Sequence, residues 1–263
     1  MAKLTVVQLL RKNNSLLDKD KAQALVICRN VYVNGELCPD PKQMFPSDST
    51  VEISYPKYVS RGGFKLEKAI EFFRIDVKGK CVLDAGSSTG GFSDCLLQNG
   101  AAAVHCVDVG YNLLDFKIRS NKNVYVHEKT NIMALESLEP VPDFAVADLS
   151  FRSIRGVASH ILNLTSARML VALIKPQFEV PKWQENFDGV ITDPALLKQT
   201  LENVHEILSN ESIGISGAVM SPIKGHKGNT EFLALLTDEN KNSLSVHDFI
   251  RQCGIDDQGG VNL

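Results

Sequence analysis

No run of apolar residues in this chain approaches the ~18 needed to span a bilayer. The opening residues, Met1-Ala2-Lys3-Leu4-Thr5, lack the apolar core of a secretory signal. Cysteine is sparse, and the six (28, 38, 81, 95, 106 and 253) show no C-x-x-C spacing. That excludes a disulfide framework and a zinc ribbon, so no metal site is expected. Cys81 and Cys106 fall in predicted core strands and read as small buried apolar residues, which points to a reducing, cytoplasmic location. Neither sign of charge dominates: 28 Lys and Arg stand against 31 Asp and Glu, a net charge of −3. Any RNA-binding surface must therefore be a local patch. There is one Trp, no internal repeat and no low-complexity stretch. The 263 residues suffice for one large domain with a small appendage.

The dinucleotide fingerprint G-x-G-x-x-G is also missing. The run Asp84-Ala85-Gly86-Ser87-Ser88-Thr89-Gly90-Gly91-Phe92 puts Ser88 where the second glycine would stand, which disfavours NAD. Yet the run follows a short apolar strand, Lys80 to Leu83, and precedes a helix beginning near Ser93. Strand, glycine-rich turn and helix form a cofactor cradle, because glycine lets backbone approach a ligand and the helix start offers free N–H groups. About twenty residues on, the strand Ala103 to Val107 ends in Asp108, where an acid commonly accepts hydrogen bonds from ribose hydroxyls. Asp84, at the end of the first strand, suits the positive amine of S-adenosylmethionine. The expected cofactor is thus S-adenosylmethionine, held by Asp84, Gly86, Ser87, Ser88, Gly90, Gly91, Phe92 and Asp108, with Asn131 on the adenine side.

From Lys80 onward the pattern alternates. Strands are predicted at 80–84, 103–108, 123–127, 143–148, 168–174, 213–219 and 231–236, and helices at 90–99, 112–119, 153–164 and 194–209. This implies an α/β domain: a mostly parallel sheet with helices on both faces. Ligands in such sheets sit beyond the carboxyl ends of the strands, so Asp84, Asp108, Asp148 and Lys175 are the informative positions. Lys175 follows six apolar residues, Met169 to Ile174, and a lysine at the open end of a buried strand is often placed for chemistry. On spacing alone Lys65 reads as a solvated helix lysine. Met220 to Phe232 reads as a basic, glycine-bearing hairpin in which Lys224 and Lys227 suit phosphate and Glu231 opens the last strand.

Four segments are expected: a module at 1–56, a linker at 57–63, the α/β domain at 64–239, and a polar tail at 240–263 without a functional reading. In the first module, two short helices precede a strand at 31–36 that runs into an Asn34-Gly35 turn. Residues 41–49 read as loop and 51–55 as a half-buried strand. The order resembles the small αα-β RNA-binding module known from ribosomal protein S-four, through Ala22, Ala24, Leu25, Ile27, Val31, Val33-Asn34-Gly35 and Asp48 to Ile53. It departs at Asp18-Lys19-Asp20-Lys21, where that family usually carries a Ser-Arg pair. Its seven Lys and Arg barely exceed its six Asp and Glu, which predicts modest RNA affinity.

Six motifs together resemble the TlyA hemolysin-like ribosomal RNA methyltransferases, whose catalytic domain is of the FtsJ type. They are Ser60 to Lys65, Asp84 to Phe92, Val107 to Asn112, Ala147 to Phe151, Ile174 to Glu179 and Lys227 to Phe232. The resemblance implies a small RNA-binding module plus a Rossmann-like methyltransferase domain, and methyl transfer from S-adenosylmethionine to a cytidine ribose 2′-hydroxyl in ribosomal RNA, with ribosomal RNA or subunits as partners; the sequence leaves the oligomeric state open. The resemblance also places the family's Lys-Asp-Lys-Glu tetrad on Lys65, Asp148, Lys175 and Glu231. Met133 departs from the family, which often has arginine there. A free lysine titrates near ~10.4, so Lys175 either accepts the hydroxyl proton in a site that disfavours its charge, or stays charged and steers the oxygen. Three other readings compete: a membrane-damaging hemolysin, a noncatalytic RNA-binding assembly factor, and a nicotinamide-dependent enzyme.

Overall fold

The computed structural model describes residues 2–150, 153–180, 187–238 and 243–256. The chain divides into two compact units, Met1–Lys57 and Tyr58–Leu263.

In the first unit, β1 (Lys3–Thr5) leads into α1 (Val6–Asn13) and α2 (Lys19–Ile27). Thr5 caps α1 reciprocally: its hydroxyl accepts from Gln8 N, while the Gln8 side chain accepts from Thr5 N. The strands β2 (Val31–Val33), β3 (Glu36–Leu37), β4 (Met44–Pro46) and β5 (Val51–Ile53) follow. β2 pairs with β3 and β5 in one sheet, and β1 pairs with β4 in another. Asn34 and Gly35 both have positive φ, which gives the tight hairpin their sequence predicts. The β1–β4 pair corrects the expectation of plain loop at 41–49. Three-residue strands far apart in sequence carry too little periodicity to be read.

The second unit contains a seven-stranded sheet. Its elements are α3 (Gly62–Phe73), β6 (Cys81–Ala85), α4 (Gly91–Gln98), β7 (Ala103–Val107), α5 (Phe116–Arg119), β8 (Val124–His127), β9 (Phe144–Ala147), α6 (Ala158–Asn163), β10 (Met169–Ile174), α7 (Pro176–Glu179), α8 (Pro194–Asn210), β11 (Ile213–Met220), β12 (Phe232–Asp238) and α9 (Val246–Gln252). The order across the sheet is β11-β12-β10-β9-β6-β7-β8, parallel from β10 to β8 and antiparallel where β12 pairs with β10 and β11. The strands are apolar on both faces, as a covered parallel sheet requires. Val82, Val171 and Leu173 pack with α3 and α4 on one face, while Leu83, Leu170 and Ile174 pack with α6, α8 and α9 on the other.

Several boundaries differ from expectation: α6, for one, begins at Ala158 and not at 153. α5 covers only the end of the predicted 112–119, because Asn112 has φ 57 and Asp115 caps the helix by accepting from Lys117 N. The segment after 239, which reads as a polar tail, returns to the core: Phe249, Ile250, Cys253 and Ile255 are buried in the cluster under α8. All six cysteines are free, and five are buried.

Candidate active site

The centre of the site is the turn after β6. Gly86 has φ +84, Ser88 φ 48 and Gly90 φ 95, so three of five consecutive residues are left-handed. For Ser88 that conformation is strained, and its N–H is held by the Asp108 carboxylate at 2.8 Å. The other Asp108 oxygen accepts from Gly110 N at 2.7 Å, so the end of β7 braces the turn after β6. A methyl group on Gly86 would lie 2.6 Å from the backbone oxygen of Asp148. A methyl on Gly91 would lie 2.1 Å from Ser60 Oγ, which is how the start of α3 closes onto the start of α4.

Two cavities open at this turn and share Gly86, Ser88, Asp148 and Ser150. The first, of about 550 Å3, is lined by Lys65, Asp148, Lys175 and Glu231 together with Arg61, Lys224 and Lys227. The second, of about 390 Å3, has apolar walls (Val109, Leu113, Ile132, Leu149) and polar ends (Asp108, Asn131).

The chain topology explains why four distant residues meet in the first cavity. β10 ends at Ile174 and β12 begins at Phe232, and these two are register partners in an antiparallel pair. Lys175 and Glu231 therefore emerge at the same sheet edge. β9 runs parallel to β10, so Asp148 emerges there too. Lys65 reaches across from α3 and donates to Glu231 Oε2 at 2.5 Å. It is 9 % exposed, which corrects the reading of a solvated helix lysine. Lys175 Nζ lies 2.5 Å from Asp148 Oδ1 as an ion-pair contact that lacks hydrogen-bond alignment. Its ammonium also lies 5.9 Å from the centre of the Phe178 ring.

The remaining sequence-predicted residues divide. Gly86, Ser87, Ser88, Gly91 and Phe92 line the larger cavity, and Asp108 and Asn131 the smaller. Gly90 lines neither; its missing side chain makes room for Leu114 and Ile118. Asp84 also lines neither. It is wholly buried beneath the turn, where it accepts from Ser93 Oγ at 2.5 Å while its other oxygen has no partner among the described residues. Burial pushes its carboxyl up to about 7, against the opposing Ser93 hydrogen bond. Phe151 and Trp183 lie outside the described residues.

Residues 58–237 match the family of FtsJ-like methyltransferases. The chain belongs to that family. It is 40% identical over 238 residues to the 16S/23S rRNA (cytidine-2′-O)-methyltransferase TlyA of Mycobacterium tuberculosis, covering 87% of each chain. It is 38% identical over 221 residues to hemolysin A of Brachyspira hyodysenteriae, covering 82% of this chain and 92% of that one. A solved Streptococcus thermophilus structure, provisionally described as a hemolysin, superposes with a TM-score of 0.71 at 32% identity over 96% of both chains.

As an FtsJ-like methyltransferase, the chain uses S-adenosylmethionine as its methyl donor, and its residues fit that molecule. The backbone at Gly86 leaves no space for a side chain, and the smaller cavity offers apolar side chains with an acid and an amide. Sequence reading missed two parts of the site. Arg61 lies on the cavity wall though it reads as linker. Glu179 is buried and ties α7 to the turn after β9, accepting from Ser153 Oγ at 2.5 Å and Ile154 N at 2.8 Å and pairing with Arg155 Nε at 2.9 Å. Only its place in the Ile174 to Glu179 motif signalled it.

Proposed function

We propose that this chain methylates the 2′-hydroxyl of a cytidine ribose in ribosomal RNA, with Lys65, Asp148, Lys175 and Glu231 as the catalytic set. The observation that carries the reading is the junction of the two cavities at Gly86 and Asp148, with both lysine–carboxylate pairs on the acceptor side. S-adenosylmethionine supplies an already activated methyl group, so the protein's task is alignment and a more nucleophilic oxygen. Asp108 would hold the ribose of the donor and Asn131 its adenine side, while Gly86, Ser87, Ser88 and Gly91 would pass close to its methionyl part. Lys65, fixed by Glu231, would orient the acceptor ribose. Lys175 would either take the hydroxyl proton itself or steer the oxygen as a cation while that proton leaves to the Asp148 carboxylate or to water. Asp148 at 2.5 Å favours the second role, because an ammonium must lose its own proton before it can accept another.

The relative from Mycobacterium tuberculosis is named for cytidine-2′-O methylation of 16S and 23S rRNA, which supports the substrate class. In this reading the first unit is an S-four-like RNA-binding module and the enzyme works in the cytoplasm. No helix among the described residues is long and apolar enough to cross a membrane, and the hemolysin reading gains nothing from the structure. The test is incubation of unmodified ribosomal subunits and naked ribosomal RNA with deuterated-methyl S-adenosylmethionine, followed by nucleoside mass spectrometry. Labelled 2′-O-methylcytidine is expected. Label only on a base, or no label in either substrate, sinks the proposal.

A further inference from the structure

The charge on the larger cavity does not match the cofactor beside it. The chain as a whole is net −3. The cavity wall nevertheless gathers five cations, Arg61, Lys65, Lys175, Lys224 and Lys227, against two carboxylates, Asp148 and Glu231. Each carboxylate is already matched by one lysine. Among the described residues, no acid pairs with Arg61, Lys224 or Lys227. S-adenosylmethionine carries net positive charge and a ribose hydroxyl carries none, so neither accounts for three unmatched cations around one opening. An anion does.

These cations are also held in place. Lys224 and Lys227 ride on the β11–β12 loop, which is pinned at several points. Gly225 N donates to Asn229 O at 2.8 Å. The Asn229 side chain accepts from Ile191 N at 3.0 Å and donates to Gly189 O at 2.9 Å. A methyl on Gly225 would lie 2.1 Å from Glu231 Oε1, so the loop rests directly on a tetrad carboxylate. Lys227 has φ 61, and its ammonium lies 4.0 Å from where a Gly189 methyl would be. Arg61 precedes α3, the helix that delivers Lys65. All three cations are exposed on anchored backbone beside the reacting groups.

We propose that Arg61, Lys224 and Lys227 form a clamp for consecutive phosphates of a single-stranded RNA, on the nucleotides flanking the one whose ribose enters the cavity. The clamp rests on the proposed ribose methylation for its role, but its binding chemistry can be measured apart from it. Backbone phosphates at fixed spacing would set the depth of the target ribose, which makes the three cations positioning residues for the acceptor.

The test uses the full chain and a short fluorescent single-stranded RNA, titrated by anisotropy across a range of salt. Each phosphate contact contributes about 0.7 to the slope of log K against log salt on single strands. The triple variant Arg61→Gln, Lys224→Gln, Lys227→Gln is expected to lower that slope by about 2 and to raise the RNA KM in methyl transfer roughly tenfold. The charge-keeping variant Arg61→Lys, Lys224→Arg, Lys227→Arg should restore the slope. RNA carrying methylphosphonate only at the linkages flanking the target cytidine should give wild-type protein the slope of the Gln variant, independent of how that variant folds. Unaltered slopes in the Gln variant and the methylphosphonate arm overturn the clamp, and so does full competition by inorganic phosphate alone, which would mark a free-anion site. Wild-type protein that shows the slope but leaves ribosomal RNA unlabelled overturns the proposed function and keeps the clamp. Labelled RNA with an unaltered slope does the reverse.

Discussion

The substitution Gly86→Ala tests how the glycine turn after β6 and the proposed catalytic pairs depend on one another. Its methyl would sit 2.6 Å from the Asp148 backbone oxygen, and a contact of this kind becomes ordinary only at 3.4 Å. The peptide after β9 must therefore retreat by about 0.8 Å, the difference between those two distances. The retreat moves Asp148 relative to Lys175, now 2.5 Å away. Misplacement near 1 Å costs on the order of 100-fold in rate. A second cost is conformational, since φ +84 is unfavourable for alanine by about 1–2 kcal/mol. Gly79→Ala separates the two. Gly79 has φ +74 but open space where its methyl would go, so it bears the strain without the collision. Thermal melts should show both variants losing stability, at about 2–4 °C per kcal/mol for a domain of this size. Single-turnover methyl transfer at saturating S-adenosylmethionine should show Gly86→Ala down about 100-fold and Gly79→Ala close to wild type. If Gly86→Ala transfers methyl within a few-fold of wild type, the turn does not control the position of Asp148, and the reasoning fails.

Other predictions concern the buried charges. Glu231→Ala strands the Lys65 ammonium in a buried site and should cost about 3–5 kcal/mol in urea unfolding, whereas Lys65→Met with Glu231→Leu should recover most of it; a double variant as unstable as the summed singles refutes this. Glu179→Ala removes the acceptor of Ser153, Ile154 and Arg155 and should cost about 3–5 kcal/mol in the same assay; a loss under about 1 kcal/mol means the tie is ornamental. Asp84 titrates near 7 when folded, against an ordinary 3.8, so the folded state keeps the proton across that window. Its contribution to stability is full below pH 3.8 and is lost as pH rises through about 7. Asp84→Asn should therefore reduce the fall in stability from acid to neutral pH by at most roughly 4 kcal/mol, and an identical pH profile contradicts it.

The seven strands of the second unit were legible because a sheet covered on both faces writes near-continuous apolar runs, as at Met169–Ile174. The pairing of Lys175 with Asp148 follows from their places after parallel strands. The neighbourhood of Lys175 and Glu231 was not derivable from strand positions alone, since it depends on β12 running antiparallel to β10. Asp84 reads as a ligand-facing acid because it ends a strand, yet it lies inside the β6 span and points under the turn. Lys65 reads as solvated because the residue that buries it, Glu231, lies 166 positions away. α9 was hidden because seven residues give two helical turns, too few for an apolar period to stand out from the polar residues around it.

The most direct check on the proposed catalytic set compares wild type with Lys175→Ala, measuring S-adenosylmethionine binding by calorimetry and methyl transfer to ribosomal RNA in a single turnover. Transfer should vanish while donor affinity stays within a few-fold. Retention of a tenth or more of the wild-type rate would remove Lys175 from the chemistry, and with it the claim that these four residues act on the acceptor hydroxyl.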